Sequence, residues 1–262
     1  MELNLRGKVA LVAGASRGLG FAVAKQLAAE GVSVSLGARG KDVHEAASAI
    51  ENATGSRAIG HLVDVTEAAS IETWISATVA ELKSIDLLCV NTGGPKPGKF
   101  LDLTDDHWQQ AVDLLLLSAV RLVRATLPVM RDAGGGSIVL LTSSAVKEPL
   151  ANLTLSNVVR ASVAALSKSL AIEFAGDGIR VNQLIPGRIS TDRVREMDRV
   201  NAEKSGISVE AQRAKSQASI LMGRYGDPEE FGKAATFLLS DAASYITGAS
   251  LQVDGGLLRG VF

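Results

Sequence analysis

The sequence predicts a doubly wound α/β domain. Three observations carry that prediction: short runs rich in Val, Ile and Leu recur along the whole chain, stretches of helical period separate them, and a glycine-rich turn joins the first run to the first helical stretch. Continuous apolar strands belong to a parallel sheet buried on both faces, and each intervening helix is the crossover that such a sheet requires.

Each element has its own justification. The first strand is KVALVA (8–13), and the glycine turn after it opens a helix near 18–29. VSVSLG (32–37) and AIGHLVDV (58–65) are the next two strands, separated by a helix near 41–52. A helix near 67–82 leads to DLLCVN (86–91), and one long helix near 105–131 leads to SIVLLT (137–142). The run LTLSNVVRASVAALSKSLA places a helix near 156–175 before IRVNQLI (179–185), and a last helix near 228–240 precedes ASLQV (249–253). These make about seven strands in one domain spanning 1–262. The exception to the alternation is 192–222, which is charged and carries no strand; following a strand's carboxyl end, it is placed to cover a ligand crevice, or equally to form a solvated excursion or a subunit contact.

Composition narrows the function classes. The chain has 262 residues, is 47% hydrophobic and carries a formal net charge of -1, with no block of like charge. That distribution lacks the footprint of a nucleic-acid binder or of a protein held on an anionic membrane. No apolar stretch reaches the roughly 18 residues of a membrane span. The single cysteine, Cys89, lies in an apolar run and reads as a buried structural thiol, so no disulfide forms within the chain. The expectation is a soluble cytoplasmic protein with a small-molecule partner. The histidines His44, His61 and His107 fall on helix or strand segments away from the carboxyl strand ends, and no spacing marks a metal site.

Gly14, Gly18 and Gly20 lie between the first strand and its helix. Glycines there permit a tight turn and let a pyrophosphate approach the backbone, while the helix N-terminus offers free N–H groups. The second strand ends in LGARG, with Ala38 and Arg39 where an acid would bind an adenosine ribose hydroxyl. Without that acid, and with Arg39 and Arg17 able to grip a ribose phosphate, NADP(H) is expected over NAD(H); the plainer reading makes both arginines surface charges.

Across nearly its whole length the chain resembles the short-chain dehydrogenase/reductase family, most closely its 3-oxoacyl-[acyl-carrier-protein] reductase-like branch, whose domain is a Rossmann fold. Gly14, Gly18 and Gly20 match the TGxxxGxG loop with Ala13 in place of threonine, DVT (64–66) the aspartate segment beside the adenine, NTGG (91–94) the NAG-type sequence, PGRIST (186–191) the PG motif, and YITGASLQVDGG (245–256) the C-terminal signature. The resemblance implies cofactor contacts at Gly14, Ser16, Arg17, Gly18, Leu19, Gly20, Arg39, Asp64, Val65, Asn91, Gly93, Pro186, Gly187, Ile189 and Thr191, the last toward the nicotinamide amide. It also implies a homo-oligomer, tetramer or dimer, joined through the helices near 105–131 and 156–175 with the last helix and strand.

The catalytic positions depart from the family. Its serine aligns with Ser143, but its YxxxK pair falls on Ser156 and Arg160, and its asparagine, seven residues after Trp108, falls on Leu115. Tyr225 and Tyr245, the only tyrosines, lie in other motifs. A phenol starts near pKa 10 and an adjacent ammonium tunes it downward, whereas an alkyl hydroxyl is a far weaker acid and a guanidinium keeps its proton. Arginine in place of that lysine also occurs in haloalcohol dehalogenases, which keep the tyrosine and lose the glycine loop, the reverse of this chain. The expected function is an atypical NADP(H)-dependent oxidoreductase acting on a carbonyl or hydroxyl group, with Ser143, Ser156 and Arg160 at its centre. The rival expectation is a cofactor-binding protein without turnover, a sensor or subunit partner. Lys147 and Glu148, in the loop after Ser143, are further candidates for the proton, against their reading as solvated charges.

Overall fold

Val9–Ala13 is an unbroken run of apolar residues, and it forms β1, fully buried, in the computed structural model, which describes residues 2–261. The remaining strands are β2 (Ser33–Ala38), β3 (Ala58–Leu62), β4 (Leu87–Val90), β5 (Gly136–Leu141), β6 (Ile179–Pro186) and β7 (Ser250–Val253). They pair in parallel as one sheet in the order β3-β2-β1-β4-β5-β6-β7. The strand order reverses between β1 and β4, so connections leave in opposite directions there and a crevice opens at the carboxyl ends.

Helices α1 (Gly18–Ala29), α2 (Asp42–Thr54), α3 (Ala68–Leu82), α4 (Asp105–Ala111), α5 (Ser118–Asp132), α6 (Thr154–Phe174), α7 (Asp192–Ser205), α8 (Val209–Ala218) and α9 (Pro228–Leu239) complete the chain. Side chains alternate across the sheet: Ala10, Val12, Leu87 and Cys89 pack with α1, α2 and α9, whereas Leu11, Ala13, Leu88 and Val90 pack with α3, α5 and α6. Two cores thus clamp the sheet, as the apolar strands require. Burial pushes the Cys89 thiol up to about 12, as expected of an inert packing residue.

Three sequence expectations are corrected. The strand proposed for 58–65 leaves the ladder at Leu62. The long helix near 105–131 is interrupted by a π-helical turn at Val112–Leu117 between α4 and α5; its apolar period looks continuous, so only hydrogen-bond geometry separates the parts. His61 lies at the carboxyl end of β3 rather than away from the strand ends, and its buried Nε2 has no hydrogen-bond partner. Burial, only partly offset by Glu81, lowers its pKa and keeps the ring neutral.

Segment 192–222 carries no strand, as read from the sequence, and forms α7 and α8, which pack against each other. Asp198 anchors it: this nearly buried carboxylate accepts from Arg188 Nη1 at 3.0 Å and from the Tyr225 hydroxyl at 2.8 Å.

Candidate functional site

The glycine turn is fixed by contact. Gly14 and Gly18 have φ of +59° and +64°, where a side chain is strained. A Cβ on Gly14 would lie 2.8 Å from Asn91 Nδ2, and one on Gly20 would overlap the Gly14 carbonyl oxygen. The Asn91 amide donates to the Ala13 and Gly14 carbonyls at 3.3 and 3.0 Å, fastening β4's exit to the turn. No side chain caps α1, whose N-cap is Arg17, so its first amides remain available to an anion beside Ser16, Leu19 and Gly20.

The neighbouring positions line the same strand ends. Arg39, exposed, follows β2, and it acts with Thr66 on the nearby Asp64. Burial pushes the Asp64 carboxyl up, and the Thr66 hydroxyl and amide at 2.7 and 2.9 Å, with Arg39, more than reverse this, leaving it below its usual value. Val65 is half-buried beside it. Neither Arg17 nor Arg39 forms an ion pair among the described residues. At β6's end, Pro186 leads into Gly187, where a Cβ would press on Asp254; buried Ile189 bridges to Gly226, and Thr191 caps α7 through Val194 N at 3.4 Å. The glycine cradle and the open space above Gly93 fit a dinucleotide laid across the β1/β4 crevice.

The positions that the sequence nominates for catalysis sit on the β5 and α6 side. Ser143 is half-buried after β5, and its Oγ accepts from Ala145 N at 3.2 Å. Helix α6 packs on the short 3₁₀ turn that follows it, Ser144–Val146, and carries Ser156 and Arg160 one turn apart, both buried. No hydrogen bond engages the Ser156 hydroxyl among the described residues. Arg160 instead braces the backbone: Nη1 donates to the Leu141 and Thr142 carbonyls at 3.3 Å each, and Nη2 to the Gly93 carbonyl at 3.1 Å. Burial, then the charge of Arg193, pushes its pKa down to about 10, so it remains a cation at neutral pH.

Leu115 is buried in the π turn with Ala111, Leu155 and Val159, an apolar cluster with Trp108 against its edge. No tyrosine replaces the missing phenol. Tyr225 is bound to Asp198, and Tyr245 is fully exposed. Lys147 and Glu148 lie exposed at a separate cavity of about 260 Å³ with Gln252, Leu258 and Gly260. A larger hollow of about 600 Å³ flanks α1 at Phe21, Lys25 and Gln26; it meets the crevice only at Gly18 and Ser190–Thr191 and does not extend over Ser143. The described residues hold no cluster of metal ligands and no helix long and apolar enough to cross a membrane.

Sequence reasoning overlooked Arg193. It follows Thr191 by two residues, and its guanidinium lies against Gly94, where any Cβ would collide with it. In sequence it is one charge among many in the run DRVREMDR.

The switch-point crevice and glycine cradle define an α/β protein built around a dinucleotide. A family model described as enoyl-(acyl carrier protein) reductase matches residues 14–258. The chain is 35% identical over 257 residues to the 3-oxoacyl-[acyl-carrier-protein] reductase of Escherichia coli strain K12, covering 97% of this chain and 99% of that one. It is 34% identical to the 2,5-dichloro-2,5-cyclohexadiene-1,4-diol dehydrogenase of Sphingobium indicum over 262 residues, the whole of both. The crystal structure of L-sorbose reductase from Gluconobacter frateurii, complexed with NADPH and L-sorbose, is similar with a TM-score of 0.95 and 32% identity over all of both chains. The chain belongs to the short-chain dehydrogenase/reductase family, a family of nicotinamide-dependent oxidoreductases, and is 3-oxoacyl-[acyl-carrier-protein] reductase-like.

Proposed function

We propose that this protein is an NADP(H)-dependent oxidoreductase of atypical mechanism, acting on a carbonyl or hydroxyl group. The intact cradle of Gly14, Gly20 and Asn91, with unpaired Arg39 after β2, is the observation that carries this reading. The α1 amides, with Ser16, Arg17, Gly18 and Leu19, would hold the diphosphate, Arg39 the ribose phosphate, and Asp64 and Val65 the adenine side. Asn91, Gly93, Pro186, Gly187, Ile189 and Thr191 would seat the nicotinamide half. Bound there, the dinucleotide would supply or accept hydride.

The chain's own residues do the rest. Ser143 Oγ donates a hydrogen bond to the substrate oxygen, and buried Arg160 adds a fixed positive field at the same strand ends. Ser156 lines the site without an acid or base to activate it, so the proton comes from solvent rather than from a tuned side chain. Helices α7 and α8, anchored at Asp198, cover the substrate side. Val158 and Ile172, exposed on one face of α6 and four turns apart, support pairing of copies through that helix. The tetramer or dimer is part of the proposal.

The test is a titration with NADPH and NADH by tryptophan fluorescence, followed by NADPH oxidation across a panel of ketones and aldehydes. Preferential NADPH binding with slow turnover is expected. Tight binding with no consumption on any substrate would favour a cofactor-binding sensor. Equal affinity for both cofactors would remove the assignment of Arg39.

A further inference from the structure

Helix α7 contains four acids, and each faces a different arginine from the one that matters here. Asp192 pairs with Arg195, Glu196 and Glu203 with Arg199, and Asp198 with Arg188. Among the described residues, Arg193 is the one arginine of α7 without a carboxylate. It stands in the first turn of the helix, where the macrodipole disfavours a cation. Its guanidinium points away from these acids and onto Gly94, next to the residue whose carbonyl receives Arg160.

Two guanidinium groups therefore bracket the Gly93–Gly94 peptide, and neither has a carboxylate partner among the described residues. Arg160 is 8% exposed, and its three bonds go to neutral carbonyls that share but do not cancel its charge. Each cation is disfavoured in place: burial lowers the pKa of Arg193, and Arg193 adds to the burial that lowers that of Arg160. Arg193 is exposed by total surface, yet desolvated in this sense because its guanidinium end is the part that meets Gly94. Like charges with no counter-ion are expensive to bring together in a partly dry crevice. An anion between them removes that cost.

We propose that Arg193, backed by Arg160, is an anion site beside Ser143 that selects substrates carrying a carboxylate or phosphate close to the reacting carbon. The cofactor's diphosphate is already provided for by the uncapped α1 amides at β1, whereas this pair lies at the ends of β4 and β5. The substrate class is an oxo acid, its hydroxy-acid counterpart, or a phosphorylated ketone. This assignment rests on the oxidoreductase reading for its chemistry but not for its binding.

The experiment compares 2-oxobutanoate with its methyl ester by calorimetry, on the protein alone and saturated with NADPH, for wild type, Arg193→Met and Arg193→Lys. Inorganic phosphate is titrated in parallel. The wild type should bind the acid at least about tenfold tighter than the ester, with Arg193→Met erasing the difference and Arg193→Lys retaining part of it. With NADPH occupying the α1 amides, phosphate should raise the melting temperature of the wild type and not of Arg193→Met. NADPH affinity should stay within about twofold in Arg193→Met. Equal binding of acid and ester to the wild type overturns the proposal. So does a loss of NADPH affinity in Arg193→Met with no acid preference in the wild type, which would assign the pair to the cofactor's phosphates. Acid binding without NADPH consumption upholds the anion site and counts against the oxidoreductase reading alone.

Discussion

The two sides of the crevice obey different constraints. On the β1 side, residue identity is enforced by backbone: a Cβ at Gly20 would overlap the Gly14 carbonyl oxygen, and Asn91 holds both neighbouring carbonyls. On the β5 and α6 side, side chains make the contacts: Leu115 packs with Leu155 and Val159, and Arg160 donates to the carbonyls of Leu141, Thr142 and Gly93. The difference teaches that the β1 side is fixed by main-chain contacts, whereas the β5 and α6 side depends on the identity of a few side chains.

The sharpest way to break this contrast is Gly20→Val. Its branched side chain meets the Gly14 carbonyl and Asn91, so NADPH affinity should fall by more than about 100-fold, a loss near 3 kcal/mol, with circular dichroism reporting whether the sheet persists. Normal binding by this variant would remove the claim that backbone enforces the β1 side. On the other side, Ser156→Tyr with Arg160→Lys should raise ketone reduction about 100-fold by restoring a tuned acid, measured as steady-state NADPH oxidation. Ser156→Tyr alone should gain less, and adding Leu115→Asn to the pair should gain more. A wild type already as fast as ordinary reductases would refute the disabled relay and direct mutation to Lys147 and Glu148.

Arg39→Asp is a smaller perturbation within the binding half. It should weaken NADPH about tenfold and shift preference toward NADH, read from paired fluorescence titrations. The smallest effect concerns α9, which packs on α1. Arg224 and then the Asp227 amide hold the Glu230 carboxyl near 2, below its ordinary 4.5, so its contribution is complete above about pH 4.5 and is lost as pH falls toward 2. Because these groups are exposed, Glu230→Gln should cost less than about 1 kcal/mol at pH 7 and nothing below pH 2, checked by urea unfolding across that range.

The sequence made the sheet legible because its strands are continuous apolar runs and its glycines have unambiguous conformational work. It also shows that Ser156 and Arg160 lie four residues apart after Ser143, the spacing that places both on one helix face. The π turn was hidden because AVDLLLL satisfies several helical periods equally well. The sequence places Arg160 at the centre of the site, and its hydrogen bonds run to Gly93, Leu141 and Thr142, 67, 19 and 18 residues away. Such bonds involve main-chain groups that every residue possesses, so no sequence pattern marks them. Arg193 was obscured for a different reason: only the backbone path after Thr191 separates it from the paired charges of the same helix.

The Arg160 brace also makes position 160 costly to exchange. The guanidinium ties β4's exit to β5, and a lysine there would place one compact ammonium where three carbonyls now accept from Arg160, at a cost of about 1–3 kcal/mol for each acceptor left bare in the interior. The pair Ser156→Tyr with Arg160→Lys is therefore expected to unfold more easily than the wild type even as it reduces ketones faster. The arginine thus links the firmness of two strand ends to the identity of one side chain on α6.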